Sequence, residues 1–296
     1  TDIRCDEIAY ELLTTYGNVP SSYINKPVWE AEAALWLNQF EISAIITEPT
    51  GVKTLLAEIT EQCLFHIWWD ERAQLIKLEA LKPPIYDSIP VITEAKNIIA
   101  DSVTIKDDQS RRVSQVWISY GMRDPTDKAD DANNYDRARV SANLDSELPI
   151  RYGESKIKAI YSRWLQTDAQ VANVGTRLLN RFSKPPKVVK IELDAKDRNF
   201  WTGGIVDMSV GGVVDYTGLQ VLTRYQITSA EETDAGSKIE LTLDQYEYQA
   251  GKRYGRWMID LAPVYTAATP LEKELGFFWS DAAGKMSDGS NGYVWG

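Results

Sequence analysis

Apolar positions recur at helical spacing in the opening stretch of the chain. Cys5, Ile8, Ala9, Leu12, Leu13 and Tyr16 share one face, and Gly17 ends the run. A loop with Pro20 and Pro27 leads to a second helical pattern through Trp29, Ala33, Trp36, Leu37 and Phe40. Ile42 to Ile46 is short and β-branched, which fits a strand or a connector. Thr50 then precedes Val52, Leu55, Leu56, Ile59 and Cys63, again on one helical face. That helix runs into a strand, Leu64 to Trp69. Asp70 to Ala73 makes a turn and Gln74 to Leu81 returns as a second strand. A lone hairpin is marginal in water, so the helix is expected to cover it. Pro83, Pro84 and Pro90 close this module, which gives a first domain over 1–95.

From about residue 96 the pattern turns to strands. Arg112 to Gly121 is rich in Val, Ile, Trp and Tyr; Asp136 to Leu144 alternates weakly; Ile157 to Leu165 reads as a strand or a helix. Thr167 followed by Gln170 is a capping box, after which Val171, Val174, Leu178 and Phe182 share a face until Pro185 and Pro186. This predicts a helix over 168–183. Val189, Ile191 and Leu193 alternate with Lys190, Glu192 and Asp194. Further strands are predicted from Trp201 to Val210 and from Leu219 to Thr228. After a turn from Glu231 to Gly236, Ile239, Leu241 and Leu243 alternate with polar partners. Alternation of this kind means one wet face and one buried face, so the sheet is expected to be antiparallel. The fold class read from the pattern is therefore α+β. It has an N-terminal helical module with a β-hairpin, then a mainly antiparallel barrel or sandwich over 96–248 with one packed helix, and an extended aromatic arm over 249–296 carrying Phe277, Phe278 and Trp279.

Composition narrows the function classes. With 44% hydrophobic and 25% charged residues, the 296-residue chain has material for a sizeable core. No run of 18 apolar residues exists, so no membrane span is expected. The start at Thr1, without Met or signal peptide, fits a processed chain or a segment of a longer protein. A formal charge of −11 repels DNA and anionic membranes on average. The basic stretches from Arg151 to Lys158 and Lys184 to Lys190 are short and diluted by other residues.

Candidate chemistry is sparse, and no catalytic, cofactor-binding or metal-ligating residue is expected. The single histidine, His66, lies in a predicted strand, and no G-x-S-x-G elbow precedes or follows it. Cys5 and Cys63 fit no CxxC pattern and read as small buried hydrophobes, with nothing in the sequence to support a disulfide. There is no phosphate loop or dinucleotide fingerprint. Gly203-Gly204 and Gly211-Gly212 flank a strand, as turns do. The stretch Met122 to Asp136 holds Asp124, Asp127, Asp130, Asp131, Asn133 and Asp136, oxygen ligands of the calcium type, but without the EF-hand spacing; it reads as a solvated mobile loop. The 43 acids leave a paired-carboxylate glycosidase open as an alternative, and tryptophans could stack on sugar. Trp29, Trp36 and Trp117 are expected in the core, whereas Trp69, Trp279 and Trp295 are candidates for exposure.

Several segments resemble the hub proteins of phage and prophage tails. The opening Ile8-Ala9-Tyr10-Glu11-Leu12-Leu13-Thr14-Thr15-Tyr16-Gly17 with Trp29 and Trp36 is similar to the helical stretch after the first tube-like domain of those hubs. Leu55 to Ile59 with Trp69-Asp70 is similar to their next module. Arg177 to Phe182 before Pro185-Pro186, the motif from Trp201 to Asp207, and Asp288-Gly289 before Tyr293 resemble later parts. The resemblance implies a structural virion protein and no enzyme: a baseplate or tail-tip hub, assembled in the host cytoplasm. It implies a homotrimer of tube-like β-domains that closes the tail tube, with a first such domain missing before Thr1. The partners implied are the distal tail protein, the tape-measure protein and tip or fibre proteins, with DNA passing through the lumen without specific binding. The alternative reading is a peptidoglycan- or polysaccharide-acting enzyme, or a carbohydrate-binding module of a tail. A secretion-machine spike hub shares the same ancestry and shape.

Overall fold

The structure, a computed structural model, describes residues 3–82, 89–214, 218–234 and 236–246. It divides into two compact units. The first holds the described residues of Thr1–Lys82 and Ser110–Pro185, and the second those of Pro83–Gln109 and Pro186–Gly296. The division differs from a break near residue 96. The strands and the helix between 110 and 185 fold back on the N-terminal helices, and the later strands build a separate core. The expected arm over 249–296 lies outside the described residues.

In the first unit, β1 (Ile3–Arg4) pairs antiparallel with β2 (Glu41–Ile42). α1 (Cys5–Glu11) continues through a π-helical turn, Leu12–Tyr16, and stops at Gly17 as its pattern predicts. α2 (Lys26–Trp36) carries Pro27 in its first turn, where proline costs no hydrogen bond. α3 (Val52–Cys63) ends at Leu64, whose left-handed φ of 58° turns the chain into β3 (Phe65–Asp70). β3 pairs antiparallel with β4 (Leu75–Ala80). α2 binds this hairpin directly. Trp29 Nε1 donates to Ile76 O at 3.1 Å, and Glu32 Oε1 accepts from Ala80 N at 3.1 Å and Lys82 Nζ at 2.6 Å.

The rest of this unit is a three-stranded sheet. β7 (Gln115–Met122) lies between β8 (Tyr135–Ala142), antiparallel to it, and β9 (Ile157–Ser162), parallel to it. The parallel pair is an exception to the antiparallel pairing that alternation leads one to expect. β8 returns the chain to the Gln115 end of β7, so β9 starts beside Gln115 and runs parallel to β7. α4 (Asp168–Phe182), with both halves of its capping box formed between Thr167 and Gln170, packs on this sheet. Gly175 lets the helix approach β8, since a Cβ there would run into the Ser141 side chain. The helix therefore covers this three-stranded sheet, where the pattern predicts it on a single barrel or sandwich over 96–248.

The second unit, in chain order, holds β5 (Val91–Thr93), β6 (Thr104–Asp107), β10 (Lys187–Asp194), β11 (Ile205–Ser209), β12 (Thr223–Asp234) and β13 (Lys238–Gln245). They form one sheet of order β5-β11-β12-β13-β10-β6, antiparallel except for β5 against β11. Alternation settles its faces: Val189, Ile191 and Leu193 point into the same core as Ile239, Leu241 and Leu243. The other face is wet and charged, with ion pairs Lys190–Glu240, Lys238–Glu192 and Arg224–Asp207. Six strands gathered around one core give a curled half-barrel whose edges, β5 and β6, do not pair with each other. Gly203 (φ 86°) and Gly212 (φ 88°) make the turns at either end of β11. β12 is longer than its pattern predicts. It runs through residues 231–234, which read as a turn, and its register shifts between Ile227 and Ser229 and again between Glu232 and Asp234.

Candidate functional site

Three elements present one unusual face. On β7, Val116, Ile118 and Tyr120 are buried toward α4, so Gln115, Trp117 and Ser119 point the other way. Register then decides what lies beside them. Trp117 sits between Val140 of β8 and Ala159 of β9; Ile157 and Ala142 flank Gln115; Tyr161 and Ala138 flank Ser119. The large members keep much of their surface in solvent: Trp117 47%, Val140 55%, Ile157 52% and Tyr161 38%. The Trp117 indole N–H donates to Gln115 Oε1 at 3.0 Å, so its polar edge is satisfied within the face and its ring remains free.

No side chain on these nine positions is charged. That contrasts with the wet face of the six-stranded sheet and with a chain carrying −11 overall. Five residues per strand across three strands make the face about 16 Å long and about 14 Å wide. Contiguous apolar patches of a few hundred Å² on a folded protein mark places that meet a partner. Exposed Leu144, Leu148 and Ile150 on the β8–β9 connection add apolar surface at the end where Gln115 lies.

The opposite face of the same sheet holds the charges. Arg139 reaches Asp168 in the first turn of α4, and Tyr120 Oη donates to the same carboxylate at 3.2 Å. The hydrogen bond from Arg139 is the main cause holding the Asp168 carboxyl below its ordinary range. At the outer edge of β9, Gln62 and Glu58 of α3 stitch the helix to the strand. Ser162 Oγ donates to Gln62 Oε1 at 2.6 Å, while Glu58 accepts from Arg163 and from Trp164 Nε1. These bonds fix the plane of the face from behind and from one side.

The sequence-predicted positions fall elsewhere. Trp29 and Trp36 are buried as expected, but Trp117 is not, because it occupies the outward position of a strand whose inward neighbours fill the core. Trp69 is exposed and meets Tyr23 edge-on at 5.4 Å between ring centroids. Trp279 and Trp295 lie outside the described residues. His66 is on β3, where desolvation by surrounding protein, then Arg181 and Arg111, lower its imidazole pKa. The acidic loop is tied by its own groups. Asn134, buried, accepts from Asp124 N and donates to Asp124 O and Lys128 O. Asp124 accepts from the Thr126 hydroxyl and amide, which lower its pKa; Asp131 caps Asn133, and Arg123 pairs with Asp136. Asp124, Asp127, Asp131 and Asp136 thus find partners within the loop itself. Among the described residues no group of three or more His, Cys, Asp or Glu gathers as a metal site, and no helix is long and apolar enough to cross a membrane.

No protein-family model and no curated protein matches the chain. Solved structures do show likeness. A tail protein from Neisseria meningitidis MC58 aligns at TM-score 0.49 and 15% identity, over 83% of this chain and 68% of that one. The 43 kDa tail protein of prophage MuSo2 from Shewanella oneidensis aligns at 0.39 and 13%, over 67% and 56%. Prophage tail protein gp18 from Listeria monocytogenes EGD-e aligns at 0.38 and 14%, over 68% and 56%. The chain thus spans little more than half the length of these last two.

Proposed function

We propose that the chain is a structural component of a phage or prophage tail, and within it a baseplate or tail-tip hub that carries out no reaction. The observation that carries the reading is the uncharged face centred on Trp117. Copies of a chain at −11 repel one another, and the repulsion is least where a face without charges meets its partner. A face of this size falls short of the ~800 Å² per partner of a standard interface. It is therefore the apolar centre of a larger contact that enlists Leu144, Leu148 and Ile150. The segments that resemble tail hubs, from Ile8 through Asp207, supply the identity of the assembly.

In this reading the hub is a homotrimer in the virion tail. It meets the distal tail protein, the tape-measure protein and tip or fibre proteins, and DNA slides through a lumen whose acidic walls do not hold it. The six-stranded half-barrel is the tube-like element, completed as a barrel or sandwich in the assembled tail.

The test is complementation. A lysogen lacking the chain is supplied with the wild type or with Trp117→Lys, and particles are counted by electron microscopy. Wild type restores tailed particles. Trp117→Lys, at an exposed position, keeps the thermal midpoint of the isolated chain yet lowers the yield of finished tails at least tenfold. Normal tails from a strain without the chain contradict the reading.

A further inference from the structure

The two cysteines, separated by most of the first sixty residues, meet in the core of the helical module. Cys5 is the first residue of α1 and Cys63 the last residue of α3, two helices that pack together. Both side chains are fully buried and both thiols are free. They are also the only cysteines in the chain, so neither has a competing partner within it. Burial, and after it the neighbouring Cys5 thiol, push the Cys63 thiol well above its ordinary pKa. Such a pair is inert as it stands, because exchange needs a thiolate and access.

We infer that Cys5 and Cys63 form a latent cross-link, a dithiol in a reducing compartment that closes to a disulfide when the chain meets an oxidising small-molecule disulfide. Access comes by local opening. Cys5 follows directly on the two-residue ladder Ile3↔Ile42 and Arg4↔Glu41, the shortest strand pairing described in the unit. In the open form the Cys5 thiolate attacks one sulfur of oxidised glutathione. A Cys5–glutathione disulfide forms, and the first glutathione leaves and takes up a proton. On reclosure the Cys63 thiolate attacks the Cys5 sulfur and expels the second glutathione as a thiol. Two protein thiols and one glutathione disulfide become one protein disulfide and two glutathione thiols. The new bond encloses a loop of about 60 residues, a length at which cross-linking restrains the unfolded chain strongly. The inference stands on the geometry of the first unit alone and does not depend on the tail reading.

The test uses the full chain, folded, held in oxidised glutathione until its free thiol content is constant, then alkylated, digested without reductant and weighed. The expected product is a single intrachain cross-link joining the Cys5 and Cys63 peptides, about two mass units lighter than the dithiol. The thermal midpoint of the first unit should rise by roughly 10 °C and fall back on adding dithiothreitol. Cys5→Ala and Cys63→Ala should each show neither the link nor the reversible rise. Two persistent free thiols, glutathione adducts alone, or disulfides between chains overturn the inference.

Discussion

At the residue scale, the buried tyrosine of β12 makes the most direct stability prediction. Tyr225 is fully buried and its hydroxyl has no partner among the described residues. An unpaired buried hydroxyl costs about 1–3 kcal/mol, so Tyr225→Phe should leave stability equal or raise it by about 1 kcal/mol in urea unfolding. Burial also pushes the Tyr225 phenol up to about 12, and Tyr135 in the other unit to about 12. A group that holds its proton more tightly when folded stabilises fully below its unfolded pKa, about 10 for tyrosine. That contribution fades as pH rises through the folded value. Urea midpoints should therefore be flat in this respect up to about pH 10 and fall toward pH 12, and Tyr225→Phe should remove one share of the fall. A midpoint of Tyr225→Phe that tracks wild type across that range would show the phenol is not held in this way.

At the scale of elements, Ser162 joins three pieces. Its hydroxyl donates to Gln62 of α3 and accepts from the amides of Trp164 (3.2 Å) and Leu165 (2.8 Å). Ser162→Ala leaves these buried groups without that partner and should cost about 2–3 kcal/mol, read as a shift of the urea midpoint. A cost under about 0.5 kcal/mol would mean the stitch is dispensable. How far the elements were legible follows from such long-range ties. α3, the hairpin behind it, the capped helix α4 and the β10 and β13 alternation are all local patterns, and each stands where its spacing put it. β5 and β6 are three and four residues long, too short to show a period. The parallel partner of β7 was hidden for another reason: side-chain alternation reports faces and says nothing of strand direction. Trp117 was misplaced because tryptophan in an apolar strand reads as core. Its place between Val116 and Ile118, both buried, was the available signal.

At the scale of the molecule, the chain alternates in sequence between two units, each with its own core. Local pattern could not reveal that, because the choice of partner for each strand is made by packing between distant segments. The charge distribution follows the same division: the half-barrel turns an ion-paired face outward, and the three-stranded sheet turns outward a face with no charge. For a strongly acidic chain, an uncharged face is where assembly meets least resistance. The central claim is that this protein works by being built into a tail. It is tested most directly by imaging purified particles with an antibody raised against residues 3–82. The account predicts label at the tail end, with three copies of the chain per particle by quantitative mass spectrometry. Particles complete with tails but carrying neither the label nor the chain would contradict it.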